Sequence, residues 1–103
     1  MNKNLSRHVT EDRMERVLFI IDAFKGDFGK PIAEDPEGDA VRTLTDKGIL
    51  IVTNLQTGKL VTMWIATVEQ GTAIYRNCHQ CSKCPLGILK ILNRNKKLAA
   101  RQP

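Results

Sequence analysis

The sequence predicts one α+β domain, residues 1–103, with an N-terminal helix, an antiparallel sheet of three or slightly more strands, and C-terminal helices. Two observations carry this prediction. Apolar residues recur at helical spacing near the N-terminus, and three short runs rich in β-branched residues then follow one another across tight turns. A chain of 103 residues is about the usual size of one domain and can build only a thin core.

The first predicted element is a helix from about Thr10 to Phe24. Acidic residues crowd its first turn, as the positive end of a helix dipole favours, and Gly26 lies where a C-terminal cap would form. Its apolar residues have the spacing of a single stripe, which we expect to face the core. The stripe consists of Met14, Val17, Leu18, Ile21 and Phe24.

A long surface loop is predicted from Gly26 to Ala40. This segment combines glycine, proline and acidic residues and lacks both helical and strand periodicity. Loops of this length in compact domains are often functional. The middle of the chain is acidic, because seven acidic residues and only three basic ones lie between Asp22 and Asp46.

Three antiparallel strands are predicted next, with the sequences VRTLT, ILIVTN and KLVTMWIAT. Turn residues at Asp46–Gly48 and around Gln56–Gly58 join them into a meander. The run Ile49–Val52 is apolar at every position, which indicates a strand covered on both faces. Along the third strand, alternation places Met63 on one face of the sheet and Trp64 on the other.

A second helix is predicted from Val68 to about Tyr75. Thr67 and Gln70 have the spacing of a capping box, in which each side chain satisfies a backbone N–H of the first turn. Gly71 weakens this prediction, because glycine in a helix costs backbone entropy.

A third helix is predicted after Pro85, a residue that suits a first helical turn. Its expected buried side consists of Leu86, Leu89 and Leu92. Beyond Asn93 only Leu98 continues an apolar pattern, so the segment of about residues 85–103 is expected to end as a basic helix or a frayed basic arm.

The positive charge of the chain is concentrated at its C-terminal end. The formal net charge is +5, and no acidic residue follows Glu69. A cationic segment of this kind neutralises phosphates without reading sequence, which predicts binding to nucleic acid that weakens with salt. The charge does not distinguish RNA from DNA, and of the two we favour RNA as the ligand. The alternative is a solvated helix face that aids solubility. The candidate phosphate contacts are Lys83, Lys90, Arg94, Lys96, Lys97 and Arg101.

Two aromatic residues are candidates for stacking on bases, Trp64 and Tyr75. A lone tryptophan in a strand of a small domain is more often a core residue. The stacking hypothesis therefore competes with a purely structural role for Trp64.

Cys78, Cys81 and Cys84 recur at a three-residue interval and are the only cysteines. Three thiolates suit zinc, which prefers four ligands in a tetrahedron, and a fourth ligand is missing from the motif. His8 is a better candidate for it than His79, which adjoins a cysteine. An iron–sulfur motif lacks its fourth cysteine, and a reducing compartment disfavours a disulfide. Reduced, partly buried thiols remain the alternative to a metal site.

The segment SRHVTEDRMERV near the N-terminus carries candidates for ribonuclease chemistry. Metal-independent RNA cleavage needs a general base, a general acid and cations on the phosphate. His8 could supply the proton transfers and Arg13 the charge. The alternative is a solvated helix face, on which His8 lies beside Glu11, Glu15 and Asp22.

The chain resembles small proteins of phages and other mobile elements over roughly residues 5–66. The matching features are Ser6 and His8 before a helix with the sequence RMER, then the strand GILIV and the pair Val61-Thr62. These proteins are similar to the compact toxin ribonucleases of the barnase and RelE type, which set one or two helices before an antiparallel sheet. The resemblance implies chemistry at His8, Arg13 and Thr62. The cysteine segment and the acidic segment lie outside the pattern.

The resemblance also implies an alternative without catalysis, in which a phage protein binds and blocks a host nucleic-acid enzyme or a defence complex. The N-terminus has no apolar signal region and no run is long enough to cross a bilayer, so we expect a cytoplasmic protein that does not contact membranes. The sequence therefore predicts a small basic nucleic-acid-binding protein, with a ribonuclease-like domain and zinc binding as further hypotheses.

Overall fold

The computed structural model describes residues 11–77 and 86–102 and confirms the α+β class. None of the helices in these two ranges is both long enough and apolar enough to cross a membrane. The elements, in chain order, are α1 (Glu11–Phe24), β1 (Pro31–Glu37), β2 (Ala40–Thr45), β3 (Ile49–Asn54), β4 (Leu60–Ile65), α2 (Val68–Asn77), α3 (Leu86–Arg94) and α4 (Lys96–Arg101).

The four strands form an antiparallel meander in the order β1-β2-β3-β4. The three strands predicted from the sequence are β2, β3 and β4. β3 lies inside the sheet, and its residues Ile49, Leu50 and Val52 are buried, as its continuous apolar run predicts. Gly48 allows the turn between β2 and β3 because its φ of 81° is strained for residues with a side chain.

The predicted loop at Gly26–Ala40 is wrong over its second half, where the chain forms β1. β1 is an edge strand, and an edge tolerates proline because one side of it makes no ladder hydrogen bonds. Its turn to β2 has two central residues, and Gly38 has the positive φ of 61° that such a turn requires. The segment therefore forms a strand because it pairs with β2, although its composition is typical of a loop.

The sheet carries helices on both faces. α1 packs over β4 on one face, and its core cluster consists of Val17, Ile20, Ile49, Met63 and Ile65. α2 and α3 cover the other face, where the core cluster consists of Ala33, Leu44, Leu50, Ala66, Ile74, Ile88 and Leu92. Met63 and Trp64 contact different clusters, which confirms the predicted alternation along β4.

The single apolar stripe predicted for α1 is wrong. Val17 and Ile20 are buried, but Leu18 and Ile21 are 56% and 41% exposed. The helix carries apolar residues on two neighbouring faces, and spacing alone cannot say which face meets the sheet. Because α1 packs over one strand at the side of the sheet, only one of the two faces is covered.

α2 begins with the predicted capping box. The backbone N–H of Gln70 donates to Thr67 Oγ1, and the N–H of Thr67 donates to Gln70 Oε1, each over 3.1 Å. Gly71 is an asset here, because a Cβ at this position would lie 2.5 Å from a methyl group of Leu92. Glycine therefore allows α3 to approach α2 closely.

The basic C-terminal segment does not fray as an arm. α3 buries Leu92 as predicted and also Ile88, which the expected leucine stripe omits. Asn95 lies between α3 and α4, and its side chain donates to the carbonyl of Lys47 over 2.8 Å. After α4, the Gln102 side-chain amide accepts from the backbone N–H of Ile65 and donates to its carbonyl, over 2.7 and 3.0 Å. Two amide side chains thus fix the segment to the sheet.

Candidate nucleic-acid interface

Five exposed cations project from α3 and α4, and together they are called the basic ridge: Lys90, Arg94, Lys96, Lys97 and Arg101. None of the five forms an ion pair with a carboxylate in the part of the chain that the structure describes. Their charge is therefore available to an external anion. The sixth candidate from the sequence, Lys83, lies outside the described residues.

Two cations outside the ridge are paired with neighbouring carboxylates. Arg42 on β2 pairs with Asp35 and, over 3.1 Å, with Glu37 on the adjacent strand. Lys47 Nζ donates to Asp27 Oδ2 over 2.7 Å. This hydrogen bond, one from the N–H of Gly29, and the positive charge of Lys47 lower the pKa of Asp27. These pairs leave neither cation free for an external anion, and the hairpin keeps an excess of carboxylates.

The basic ridge stands on a fixed support. Ile88 and Leu92 bury one side of α3 against α2 and the sheet, and Leu98 packs α4 against the core on the α1 side. Within each helix, cations recur at four-residue spacing, which puts Lys90 beside Arg94 on one face of α3. A side chain on a docked helix loses less freedom on binding than one on a flexible arm.

A groove of about 420 Å³ lies beside the ridge, between the start of α2, the end of α3 and α4. Val68, Leu92 and Ala99 give it apolar walls, and Asn93 and Lys96 are among its polar lining residues. Its volume lies within the range of small-molecule sites, roughly 300 to 1,000 Å³, and a mostly apolar lining with a few polar groups is typical of them. Lys96 belongs to both the groove and the ridge.

Trp64 is held on more than one side. Its Nε1 donates to Gln70 Oε1 over 2.9 Å, and the ring packs against the cluster under α2 and α3. The guanidinium of Arg16 lies 5.8 Å from the ring centroid, within reach of a cation–π contact. These contacts agree with the structural role for Trp64 rather than with base stacking. The side chain of Tyr75 lies outside the described part of the chain.

Of the three candidates for ribonuclease chemistry, only the side chain of Thr62 is described. Thr62 is 6% exposed, and its hydroxyl has no hydrogen-bond partner among the described residues. Arg13 is a residue of α1, but its side chain is outside the description, as is the whole of His8. The described residues thus place one buried hydroxyl, and chemistry by His8, Arg13 and Thr62 stays a prediction.

The cysteine motif falls outside the described residues, and so does His79. Within residues 11–77 and 86–102, no group of three or more histidine, cysteine, aspartate or glutamate side chains is arranged to hold a metal ion. Zinc binding by Cys78, Cys81 and Cys84 stays a prediction.

Comparison with protein-family models, with curated proteins and with solved structures found no match. The resemblance to toxin ribonucleases therefore stays a prediction from short motifs.

Three features of this surface were not found from the sequence: the roles of Gly71, Asn95 and Gln102. From the sequence, Gly71 only lowers the helix propensity of α2, whereas the structure shows that it makes room for Leu92. The two amides bond to backbone groups 48 and 37 positions away, a separation that no local pattern encodes. The one signal present in the sequence was an apolar residue, Leu98, within the basic segment.

Proposed function

We propose that the protein binds single-stranded RNA through the basic ridge. The observation that carries this proposal is the set of five exposed cations, on two docked helices, without a carboxylate partner among the described residues. Elsewhere in the described chain Arg42 and Lys47 are paired with acidic side chains, and the exposed cations without an ion pair are scattered. The ridge differs from them because five such cations adjoin one another on two helices. A polyanion is the ligand that this surface fits.

Counterion release sets the expected strength and salt response of binding. If all five cations each neutralise one phosphate, the logarithm of affinity should fall with the logarithm of salt at a slope of about −3.5 for a single strand and about −4.5 for a duplex. Binding of this kind is strong at low salt and weak near physiological salt. It positions a nucleic acid without reading its sequence.

The groove favours a single strand over a duplex. Its volume of about 420 Å³ and its apolar walls suit one unstacked base, whereas the bases of a duplex stay inside the helix. Lys96 at the groove would keep the phosphate of that nucleotide in contact with the ridge, and the exposed amide of Asn93 offers hydrogen bonds to a base edge. Unpaired segments are common in RNA, which makes single-stranded RNA the proposed ligand.

The test is a titration of labelled single-stranded RNA, single-stranded DNA and duplex DNA at several salt concentrations. The variant Lys97→Gln/Arg101→Gln removes two ridge cations on α4, both exposed. We expect weaker RNA binding and a salt slope that is less steep by about 1.4, because two fewer phosphates are neutralised.

The matched control is Lys30→Gln/Lys59→Gln, which lowers the net charge equally at two exposed positions outside the ridge. It should bind RNA almost as tightly as the unmodified protein. Equal losses in the two double variants would mean that only overall charge matters, and the ridge would not be the binding surface. The absence of any salt-sensitive binding would contradict the proposal itself.

RNA cleavage by His8, Arg13 and Thr62 is a separate prediction. It is read from the same mixtures on a denaturing gel, on which shortened RNA reports cleavage. If fragments appear, the variant His8→Ala should abolish them, because the proposed proton transfers need the imidazole. Fragments of undiminished yield would remove His8 from the mechanism.

A second candidate function, protein docking, is favoured by the exposed apolar side chains of Leu18 and Ile21 on α1. Contiguous exposed apolar residues mark interaction surfaces. In the alternative drawn from the sequence, the partner is a host nucleic-acid-processing protein. A partner retained by the unmodified protein after nuclease treatment, and lost by Leu18→Glu, would support that alternative.

A further inference from the structure

The groove beside the basic ridge contains a carboxylate as well as a cation. Glu69 is the only acidic side chain among the described residues that line it, and Lys96 of the ridge is the basic one. Glu69 is exposed in the first turn of α2, whereas Lys96 reaches the groove from α4. The two do not form an ion pair with each other or with any other described residue. An unpaired carboxylate therefore lies beside the surface proposed to bind a polyanion.

A carboxylate in this position has to be compensated if the ligand is a nucleic acid. It repels the phosphates and can only accept hydrogen bonds, so it weakens binding unless the ligand supplies a donor. The donors of a nucleic acid are the base N–H groups, which RNA and DNA share, and the ribose 2′-hydroxyl, which DNA lacks. A carboxylate that contacts the sugar therefore distinguishes RNA from DNA.

We propose that Glu69 selects RNA against DNA by accepting a hydrogen bond from the 2′-hydroxyl of the nucleotide in the groove. This inference rests on the proposed function and adds to it the residue that recognises the sugar. RNA offsets the repulsion of the carboxylate with a charge-assisted hydrogen bond, whereas DNA meets the repulsion alone. Specificity of this kind combines an attractive contact for one ligand with a repulsive contact for its competitor.

The other walls of the groove suit the rest of the nucleotide. Val68, Leu92 and Ala99 form apolar walls for a base, and Lys96 is the cation for its phosphate. Because the sugar joins the base to the phosphate, it lies between these two contacts. Glu69 directly follows Val68 in the chain and lines the same groove, so it adjoins the apolar wall from which the sugar extends.

Two other polar side chains of the groove already have partners. Thr67 Oγ1 caps the first turn of α2, and the Gln102 amide bonds to both backbone groups of Ile65. The Asn93 amide is left for a base edge, and the Glu69 carboxylate for a hydroxyl donor.

The alternative is that Glu69 acts only on the fold. A negative charge in the first turn of α2 interacts favourably with the helix dipole. The two roles change different quantities. Loss of a dipole contact lowers the stability of the protein and leaves the ratio of RNA affinity to DNA affinity unchanged, whereas loss of a sugar contact changes that ratio.

The test is a titration of the full chain at low salt with three labelled oligomers of one length. They are oligouridylate, oligodeoxyuridylate and 2′-O-methyl oligouridylate, which share their bases and phosphates. The methyl ether keeps the sugar geometry of RNA but has no hydroxyl proton to donate. The unmodified protein should bind oligouridylate about tenfold more tightly than either of the others, the size expected for one hydrogen bond to a charged group.

Glu69→Ala removes the acceptor and should bind the three oligomers with nearly equal affinity. Glu69→Gln keeps an oxygen acceptor without the charge, so it should retain part of the preference for oligouridylate. The matched control is Glu15→Ala, which removes an exposed glutamate of α1 outside the groove and should leave the affinity ratio unchanged. Circular dichroism melting verifies that each variant is folded.

Equal binding of oligouridylate and oligodeoxyuridylate by the unmodified protein overturns the inference and leaves RNA binding through the ridge intact. A full preference for oligouridylate that survives Glu69→Ala overturns it as well. If none of the three oligomers binds, the proposed function fails, and this inference fails with it.

Discussion

The β1–β2 hairpin and the α3–α4 segment treat their charges in opposite ways. In the hairpin, Arg42 lies between two carboxylates of the neighbouring strand, so opposite charges hold an edge strand in register. In α3 and α4 the cations have no such partners among the described residues, and the support comes from apolar and amide contacts on the other side of the helices. Charge acts as a structural contact in one region, and in the other it is unpaired among the described residues and, under the proposed function, contacts RNA.

The difference predicts that the two regions respond to different substitutions. Stability should depend on apolar contacts beneath the basic ridge and on ion pairs within the hairpin. Nucleic-acid binding should depend on the ridge, on the groove beside it and on the contacts that hold α4 in place.

The largest expected effect comes from Leu92→Ala. This side chain of α3 is fully buried against α2 at Gly71, so its truncation leaves a cavity. The free energy of unfolding should fall by about 3 kcal/mol. Urea denaturation measures the loss. Leu55→Ala, at an exposed leucine, should change stability by less than about 0.5 kcal/mol. A small effect of Leu92→Ala would mean that α3 is not docked as described.

Arg42→Met should lower the free energy of unfolding by about 1 to 2 kcal/mol, because it leaves the largely buried Asp35 without this ion-pair partner. The same urea denaturation reports it. RNA affinity should stay nearly unchanged, since Arg42 lies outside the ridge and is already paired with Asp35 and Glu37. A loss of RNA binding as large as that of the ridge variant would erase the distinction between the two regions.

Asn95→Ala removes the hydrogen bond from the junction of α3 and α4 to the carbonyl of Lys47. We expect a loss of about 1 kcal/mol in stability. RNA binding should weaken slightly because α4 is held less firmly, with no change in salt slope since no cation is lost. Asn93→Ala, at an exposed neighbour on α3, is the control for stability. A changed slope would indicate that Asn95 acts on the charge of the ridge and not on its support.

The smallest effect is expected for the exposed pair of Asp27 and Lys47. The pKa of Asp27 is lowered in the folded state, so the pair stabilises the fold above the unfolded pKa, about 4, and this contribution is lost as pH falls through the folded value. Asp27→Asn should therefore lower the melting temperature slightly at neutral pH and not at acidic pH. Asp39→Asn is the control. A larger effect at low pH would reverse the predicted sign.

Short sequence patterns correctly predicted the helices and strands that are specified by residues close together in the chain. The strands β2 to β4 and the capping box of α2 follow from alternation, turn residues and the spacing of Thr67 and Gln70. β1 was missed because its strand conformation depends on pairing with β2 and not on its own composition. The buried face of α1 was predicted wrongly because the helix has apolar residues on two neighbouring faces and only one of them packs against the sheet. Those choices depend on tertiary packing.

The same division holds for the candidate site. The sequence is sufficient to identify the ridge cations, because the chain after Glu69 contains basic residues and no acidic ones. Their lack of carboxylate partners within the described chain, and the groove that adjoins them, depend on how α2, α3 and α4 come together. A linear sequence cannot express either property.

The Gln102 amide has a consequence for colloidal behaviour. β4 is one of the two edge strands of the sheet, and the backbone groups on the open side of an edge strand can pair with a strand of another molecule. At Ile65 the amide occupies both the donor and the acceptor, as a neighbouring strand would. The Gln102 side chain thereby blocks strand addition at Ile65. Its loss would leave these two backbone groups open to pairing with another molecule, which would favour aggregation of the folded protein.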